Sequence, residues 1–425
     1  MSLVIIVFSI LAGVHLCFVK KDWMNPGSIF LFYWAFVVYM ASLRLYGLRE
    51  TSDKAYSFVL IGVVFYYLGA YLASCRRNIK RRTVRKTIYL RHYETNYKFL
   101  YFASLVVILY SIYRINLIIQ FLSLGHSWWD IRLMATSGDG GVGTLKGGNW
   151  SDMIYSFVVS PLVYLIVPTI VTEILSGKKN RISIILSVIA IVVYSISTVS
   201  RSVWGFAIVY VVIVVLLFRK NIVLSKRQKK ILKIVPLIIV ALALIINKIT
   251  IMRNSEADIF ANAYAYISGC MPLLSVHLEE AISNERTYGM LTLYGFFNPI
   301  FFLTNRLHIF SYPEAFTTAK LVKDNLEVFV SLSPTINMNA YATLFYDFYI
   351  DFGMPGIAIG SFFFGYICMR VFDLYRRACN SRNLVLCLIL FQFVLFSVAR
   401  IYTVYATRAL SIIWLIPMFK KKKVI

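Results

Sequence analysis

The stretch ISIILSVIAIVVYSISTVSRSVWGFAIVYVVIVVLLF, residues 182 to 218, decides the fold class. Two apolar runs, ISIILSVIAIVVYSISTVS and VWGFAIVYVVIVVLLF, meet at a single cation, Arg201. Neither run shows the polar/apolar alternation of a barrel strand, and a continuous apolar run satisfies its backbone inside lipid only as a helix. The segment therefore reads as two membrane-crossing helices joined by a short turn, with an arginine on the turn.

The rest of the chain extends that reading. Its 425 residues are 59% hydrophobic with a mean hydropathy of +0.72. Ordinary globular domains run about 45–50% apolar, so this chain has more apolar surface than a water-soluble core can hide, and it dissolves in lipid instead. Stretches of crossing length, about 17 to 25 residues, lie near 3–19, 28–48, 55–74, 99–124, 153–175, 182–199, 203–218, 234–250, 354–372, 384–401 and 403–419. The expected fold is thus an all-α polytopic membrane protein of about eleven helices.

Charge orients the helices. In a soluble protein the net charge of +25 would suggest nucleic acid. In a membrane protein an excess of Lys and Arg holds loops on the cytoplasmic side, so no nucleic-acid partner is expected. With the first helix running outside to inside, the inner segments are KKDWMNPG, SCRRNIKRRTVRKTIYLRHYETNYK, SGKKNR, RKNIVLSKRQKKILK, DLYRRACNSRN and KKKKVI. They hold 28 of the 44 Lys and Arg residues. The N-terminus is expected outside and the C-terminus inside. Lys20 and Lys21 follow the first apolar run rather than precede it, which is unlike a cleavable signal peptide.

Acids partition the other way: ten of the 19 Asp and Glu residues fall within 251–353. The expected organisation is a helical bundle over 1–250 with an outer loop at 125–152, a large, partly helical outer loop over 251–353 between helices 8 and 9, and a closing bundle over 354–425 with a basic tail. Long glycine-rich segments such as 125–152 are either functional or disordered. Only Cys270 of the six cysteines falls clearly in an outer loop, so no disulfide framework is expected. No metal-ligand spacing or phosphate-binding loop occurs, and neither a metal nor a cofactor is expected.

By this topology Arg201 lies at the outer boundary, where the positive-inside bias disfavours it. Arg253 after the eighth helix, and Arg400 and Arg408 flanking YTVYA, share that placement, while Arg114 sits deep in the fourth helix. Snorkelling is the plain explanation. Binding an anion is the functional one, and a polyprenyl pyrophosphate fits physically, because guanidinium groups match phosphate oxygens in pairs while the lipid tail lies between helices.

The arrangement resembles the oligosaccharide repeat unit polymerases of bacterial surface polysaccharides, the O-antigen polymerase (Wzy) family. The features that carry the likeness are Ser200–Arg201 between adjacent helices, IMRNSE with Arg253 at the opening of the large loop, YISGCMPLLS, and NAYATLFYDFYIDFGMPGIAIG at its exit, with Tyr349, Asp351, Gly353 and Gly356. The resemblance implies a GT-C-like, lipid-donor glycosyltransferase that needs no metal and lies in the bacterial inner membrane. Such an enzyme moves a growing glycan from undecaprenyl pyrophosphate onto the terminal sugar hydroxyl of a lipid-linked repeat unit in the periplasm. Its expected partners are the undecaprenyl-pyrophosphate-linked oligosaccharide, membrane lipid, a chain-length regulator and a flippase.

Within that expectation, Arg201, Arg253, Arg400, Arg408 and Arg114 stabilise charge on the pyrophosphate. The acceptor hydroxyl needs a base, and the outer histidines are His126, His277 and His308. His277 is preferred, since Glu280 at i+3 shares its helical face and can orient the imidazole; a surface histidine beside surface acids is the alternative. Tyr266, Trp128 and Asp351 are candidates for glycan contact. Against this, Asp351 opens DFGMPG and suits a cap on the ninth helix, Asp347 could join it in a two-carboxylate site, and the aromatics suit interfacial belts. A flippase or other transporter and an O-antigen ligase are the rival readings. A transporter generally shows two related halves with broken helices, and no internal repeat is visible here.

Overall fold

The computed structural model describes residues 1–83, 93–128, 130–131, 149–177, 180–218, 259–334 and 336–421, with four single positions between 236 and 244. The expected eighth helix at 234–250, Arg253, most of the glycine-rich loop and the end of the basic tail lie outside the described residues.

Helices dominate. In chain order they are α1 (Ser2–Lys20), α2 (Pro26–Ser42) and α3 (Asp53–Thr83), then, after strand β1 (Tyr93–Thr95), α4 (Tyr97–Ser123). Next is α5, in which a short helix, Asn149–Ile154, passes through a π-helical turn, Tyr155–Val159, into Ser160–Leu175. There follow α6 (Arg181–Thr198), α7 (Ser202–Phe218), α8 (Ile259–Ser268), α9 (Cys270–Glu279), α10 (Tyr294–Arg306) and α11 (Glu314–Asn325). A small antiparallel ribbon, β2 (Val330–Ser333) with β3 (Ile336–Met338), precedes α12 (Thr343–Arg377), α13 (Ser381–Leu395), α14 (Ala406–Met418) and β4 (Phe419–Lys421), which pairs with β1.

By length and composition, six helical segments among the described residues can cross a membrane: α1, Asp53–Cys75 of α3, α4, Trp150–Leu175 of α5, α6 and α12. Four shorter apolar helices, α2, α7, α13 and α14, join them. Together they suggest a multi-pass membrane protein. Large apolar side chains such as Leu3, Leu11 and Phe18 on α1 or Leu109 and Ile119 on α4 are exposed. On a membrane helix that surface meets lipid rather than water.

Local chemistry sets several ends. Asn25 caps α2 by accepting the Ser28 amide at 2.8 Å, with Pro26 at the first helical position, where its missing N–H has no cost. Lys21 closes α1 in the left-handed conformation, φ 52°.

Two helix boundaries correct the sequence reading. Pro355 and the glycines of DFGMPG suggested a helix starting at 354, but α12 already begins at Thr343. The chain bends at Phe352 and Gly353 and then resumes its helix; Gly353 takes φ 66°, ψ −153°, a conformation that only glycine adopts without strain. Conversely, α13 ends at Leu395, and 396–401 form a turn rather than a last helical stretch.

The chain divides into two compact units, each discontinuous in sequence. The first comprises Met1–Leu90, Ala257–Arg377 and Phe393–Tyr405. Its axis is α3 packed along α12. A Cβ added at Gly69 would lie 1.9 Å from the carbonyl oxygen of Phe362, so the two backbones touch where glycine allows it. Phe30 stacks on Tyr66 at 3.7 Å, and Trp34 meets Phe345 at 4.8 Å. A buried ion pair, Lys20 Nζ to Asp373 at 2.9 Å, ties the end of α1 to α12.

The second unit comprises Arg91–Glu256, Ala378–Gln392 and Ala406–Ile425. In it α4 packs on α6, with Ser104 and Ser187 joined at 3.1 Å. Glu173 on α5 is buried and accepts hydrogen bonds from Thr95 at 2.6 Å and Tyr97 at 2.7 Å.

Candidate functional site

The first unit gathers an unusual set of buried polar groups. His277 lies on the last turn of α9, only 1% exposed. Its Nδ1 is 2.8 Å from Glu280 Oε1, at the i+3 spacing that the sequence suggested. A carboxylate only accepts, so Nδ1 carries the proton and Nε2 keeps a free lone pair. Glu280 is fixed in turn by Asn325 on α11, whose Nδ2 donates to Oε2 at 2.5 Å. Carboxylate, imidazole and amide thus form one chain.

Beside it stands a second group. Arg400, on the turn after α13, is fully buried, and its Nε and one terminal nitrogen donate to Asp347 Oδ1 at 3.2 and 3.0 Å. Asp347 Oδ2 accepts the Ile401 amide at 2.9 Å. The turn is held against the start of α12, where the amides of Thr343 and Leu344 donate to the carbonyls of Ala399 and Ser397, each at 2.9 Å. Trp34 adds a bond to Ser397 Oγ at 3.0 Å. Backbone contacts therefore place Arg400 over the helix that carries Asp347. Tyr346, the preceding residue, brings its ring within 6.0 Å of the His277 ring.

Four buried atoms in this neighbourhood have no hydrogen-bond partner among the described residues: His277 Nε2, the Tyr346 hydroxyl, the Thr343 hydroxyl and one terminal nitrogen of Arg400. Orphaned buried polar groups are rare because each forfeits its hydration, and they mark places where water or a ligand supplies the missing bond. Electrostatics point the same way. Burial lowers the His277 pKa below its ordinary 6.5; Glu280 pulls upward, and the Arg400 cation pushes further down. The result is an imidazole that stays neutral, as a base requires. Burial alone would lower Arg400, but Asp347 outweighs it and holds the guanidinium charged.

Asp351 and Asp347 do not form the two-carboxylate site considered from sequence. Asp347 serves Arg400, whereas Asp351 accepts from Thr287 Oγ1 at 2.5 Å and from the amides of Gly289, Leu291 and Thr292 at 3.0, 3.1 and 2.9 Å. Nor does Asp351 cap the helix that follows it. It fastens the 287–292 loop, with its oxygens used by the protein. Tyr266 is 47% exposed and meets Tyr341 at 5.6 Å. Among the described residues no cluster of three His, Cys, Asp or Glu side chains is placed to hold a metal.

The second unit holds Arg201, Arg408, Arg114 and Trp128. Arg201 follows Val199, which takes a left-handed conformation, φ 47°, and so ends α6. Ser195 Oγ ties the turn by donating to the Ser200 carbonyl at 2.9 Å and accepting from Trp204 Nε1 at 2.7 Å. Arg201 thus stands partly buried on a braced turn between α6 and α7. Arg408 lies with its guanidinium carbon 3.0 Å over the Tyr164 ring and 4.4 Å from that of Phe206. Arg114 sits 4.8 Å over Tyr155. Ring faces attract these cations. Trp128 packs against a cluster of Ile118, Ile131 and Val199.

Sequence reasoning selected His277, Glu280 and Arg400 but missed Tyr346, which lies within the quoted stretch at 339–360, and Asn325, which carries no local motif. No family model, no curated protein and no solved structure matches the chain.

Proposed function

We propose that this protein is a surface polysaccharide polymerase of the bacterial inner membrane, with its N-terminus periplasmic and its C-terminus cytoplasmic. It transfers a growing glycan from undecaprenyl pyrophosphate to the terminal sugar hydroxyl of a lipid-linked repeat unit. The observation that carries the reading is the buried His277–Glu280 pair, with its open Nε2 beside the Arg400 cation.

In this mechanism the acceptor hydroxyl gives its proton to His277 Nε2 as its oxygen bonds the donor's anomeric carbon. The bond from that carbon to the phosphate oxygen breaks, and undecaprenyl pyrophosphate departs with the electron pair. Glu280 stabilises the imidazolium at Nδ1–H, as the carboxylate does in any base–orienter pair. The orphaned Arg400 nitrogen supplies a donor for developing negative charge in a low-dielectric site. For Arg201 the expectation of anion binding is a separate proposal. Its test is to compare Arg201→Ala with Arg201→Lys, because lysine rescues paired phosphate recognition poorly.

The gene deletion tests the function. A polymerase null leaves single repeat units on lipid A-core in a gel of surface polysaccharide, and complementation restores the ladder. The ligase alternative predicts unmodified core instead. A transporter has one structural point in its favour: α5 and α12 are both interrupted helices, the first by its π turn and the second at Gly353. A flippase null also leaves no capped single units, so the same gel separates the polymerase reading from both rivals.

A further inference from the structure

We propose that α10 and the turn after it, residues 293–312, form an interfacial element whose outward apolar face lies on the surface of the bilayer crossed by the protein's own helices. On its inner face Tyr294 stacks on Phe316 of α11 with centroids 4.7 Å apart, and Phe301 meets the same ring at 4.8 Å. The outer face is left uncovered. Ile300, Leu303 and Leu307 recur at helical spacing, Ile309 and Phe310 follow, and all five are between 45 and 67% exposed. A contiguous apolar stripe of this kind is unfavourable in water and marks an interaction surface.

The occupant follows from where α10 begins. Gly295 presses on the turn between α13 and α14: an added Cβ would lie 2.6 Å from the backbone of both Thr403 and Tyr405. Thr403 Oγ1 also donates to the Thr292 carbonyl at 2.6 Å. That turn joins two of the shorter apolar helices; with these in the bilayer the turn stands at its boundary, and the start of α10 is locked to the same level. A helix that leaves this boundary with a bare apolar face can bury it in the acyl–headgroup layer without crossing the bilayer. Arg306 and His308, both exposed at the far end, sit where side chains meet lipid phosphates. The seating of α10 on the bilayer is independent of the proposed activity.

The test uses the full chain in phosphatidylcholine vesicles, with Cys75→Ser and Cys379→Ser removing the accessible thiols. A single cysteine at Ile300, Phe310 or, as control, exposed Thr317 on α11 carries an environment-sensitive fluorophore. At 300 and 310 we expect blue-shifted emission, quenched several-fold more by a doxyl-labelled lipid than at 317, and protected from aqueous iodide. Iodide quenching equal to that at 317 would overturn the proposal. So would protection that appears only as protein density in the vesicles rises, because a second copy would then be the cover.

Discussion

Removing the guanidinium from the Asp347–Arg400 pair is the sharpest structural perturbation available. In Arg400→Met the carboxylate of Asp347 stays on α12 with no exposed surface and keeps a single donor, the Ile401 amide at 2.9 Å, in place of three. Stranding one partner of a buried pair costs about 3–5 kcal/mol. At about 1.4 kcal/mol per decade, that is two to three and a half orders of magnitude in the folded-to-unfolded ratio. The double variant Asp347→Leu/Arg400→Met removes both charges and should recover most of the loss, since apolar replacement of a whole buried pair is close to neutral. Reversible unfolding in mixed micelles with increasing SDS, followed by tryptophan fluorescence, reads all three. Two results would refute the reasoning: Arg400→Met within about 1 kcal/mol of wild type, the size of an exposed pair, or a double variant as unstable as the sum of its singles.

Asp351→Asn replaces a carboxylate oxygen with an amide NH2 group facing either the Thr292 amide or those of Gly289 and Leu291, leaving donors opposed to donors; a loss of about 1–3 kcal/mol is expected, visible as faster proteolysis across 281–293. Gly69→Val drives a side chain into the Phe362 carbonyl, a backbone atom that cannot step aside; the full chain should elute as aggregate in size-exclusion chromatography, whereas Gly205→Ala, where no neighbour lies within 4 Å, should not. His277 has a lowered pKa, so below the ordinary value of 6.5 the unfolded chain binds the proton that the folded chain refuses. Stability therefore falls as pH drops below about 6.5, and His277→Gln removes that slope in a denaturation series. On the same basis the rate limb assigned to the base should lie below pH 6.5 rather than above it.

What the sequence made legible follows from range. Apolar runs of helical length declare themselves through composition, so the segments around 182–218 became α6 and α7 with ends displaced by a residue or two. The His277–Glu280 contact was legible because three residues is one helical turn. Asp347 and Arg400 are 53 positions apart, and no local pattern links them. The link comes from α12 presenting its first turn to the carbonyls of the 396–400 turn, which is a property of packing. The same holds for Arg408 on Tyr164 and Arg114 on Tyr155. The ring faces and the carboxylate that lie against these cations come from distant parts of the chain, so the sequence could not show them. The bend in α12 misled for a local reason: proline and glycine usually end helices, but Gly353 instead lets α12 turn and continue.

In the proposed reaction the neutral imidazole at 277 takes a proton from a sugar hydroxyl. Purified protein in proteoliposomes, given undecaprenyl-pyrophosphate-linked repeat units, should build ladders of two or more repeats, and His277→Gln should slow that elongation by about 100-fold or more, the usual contribution of a positioned base. Elongation by His277→Gln at the wild-type rate would contradict it.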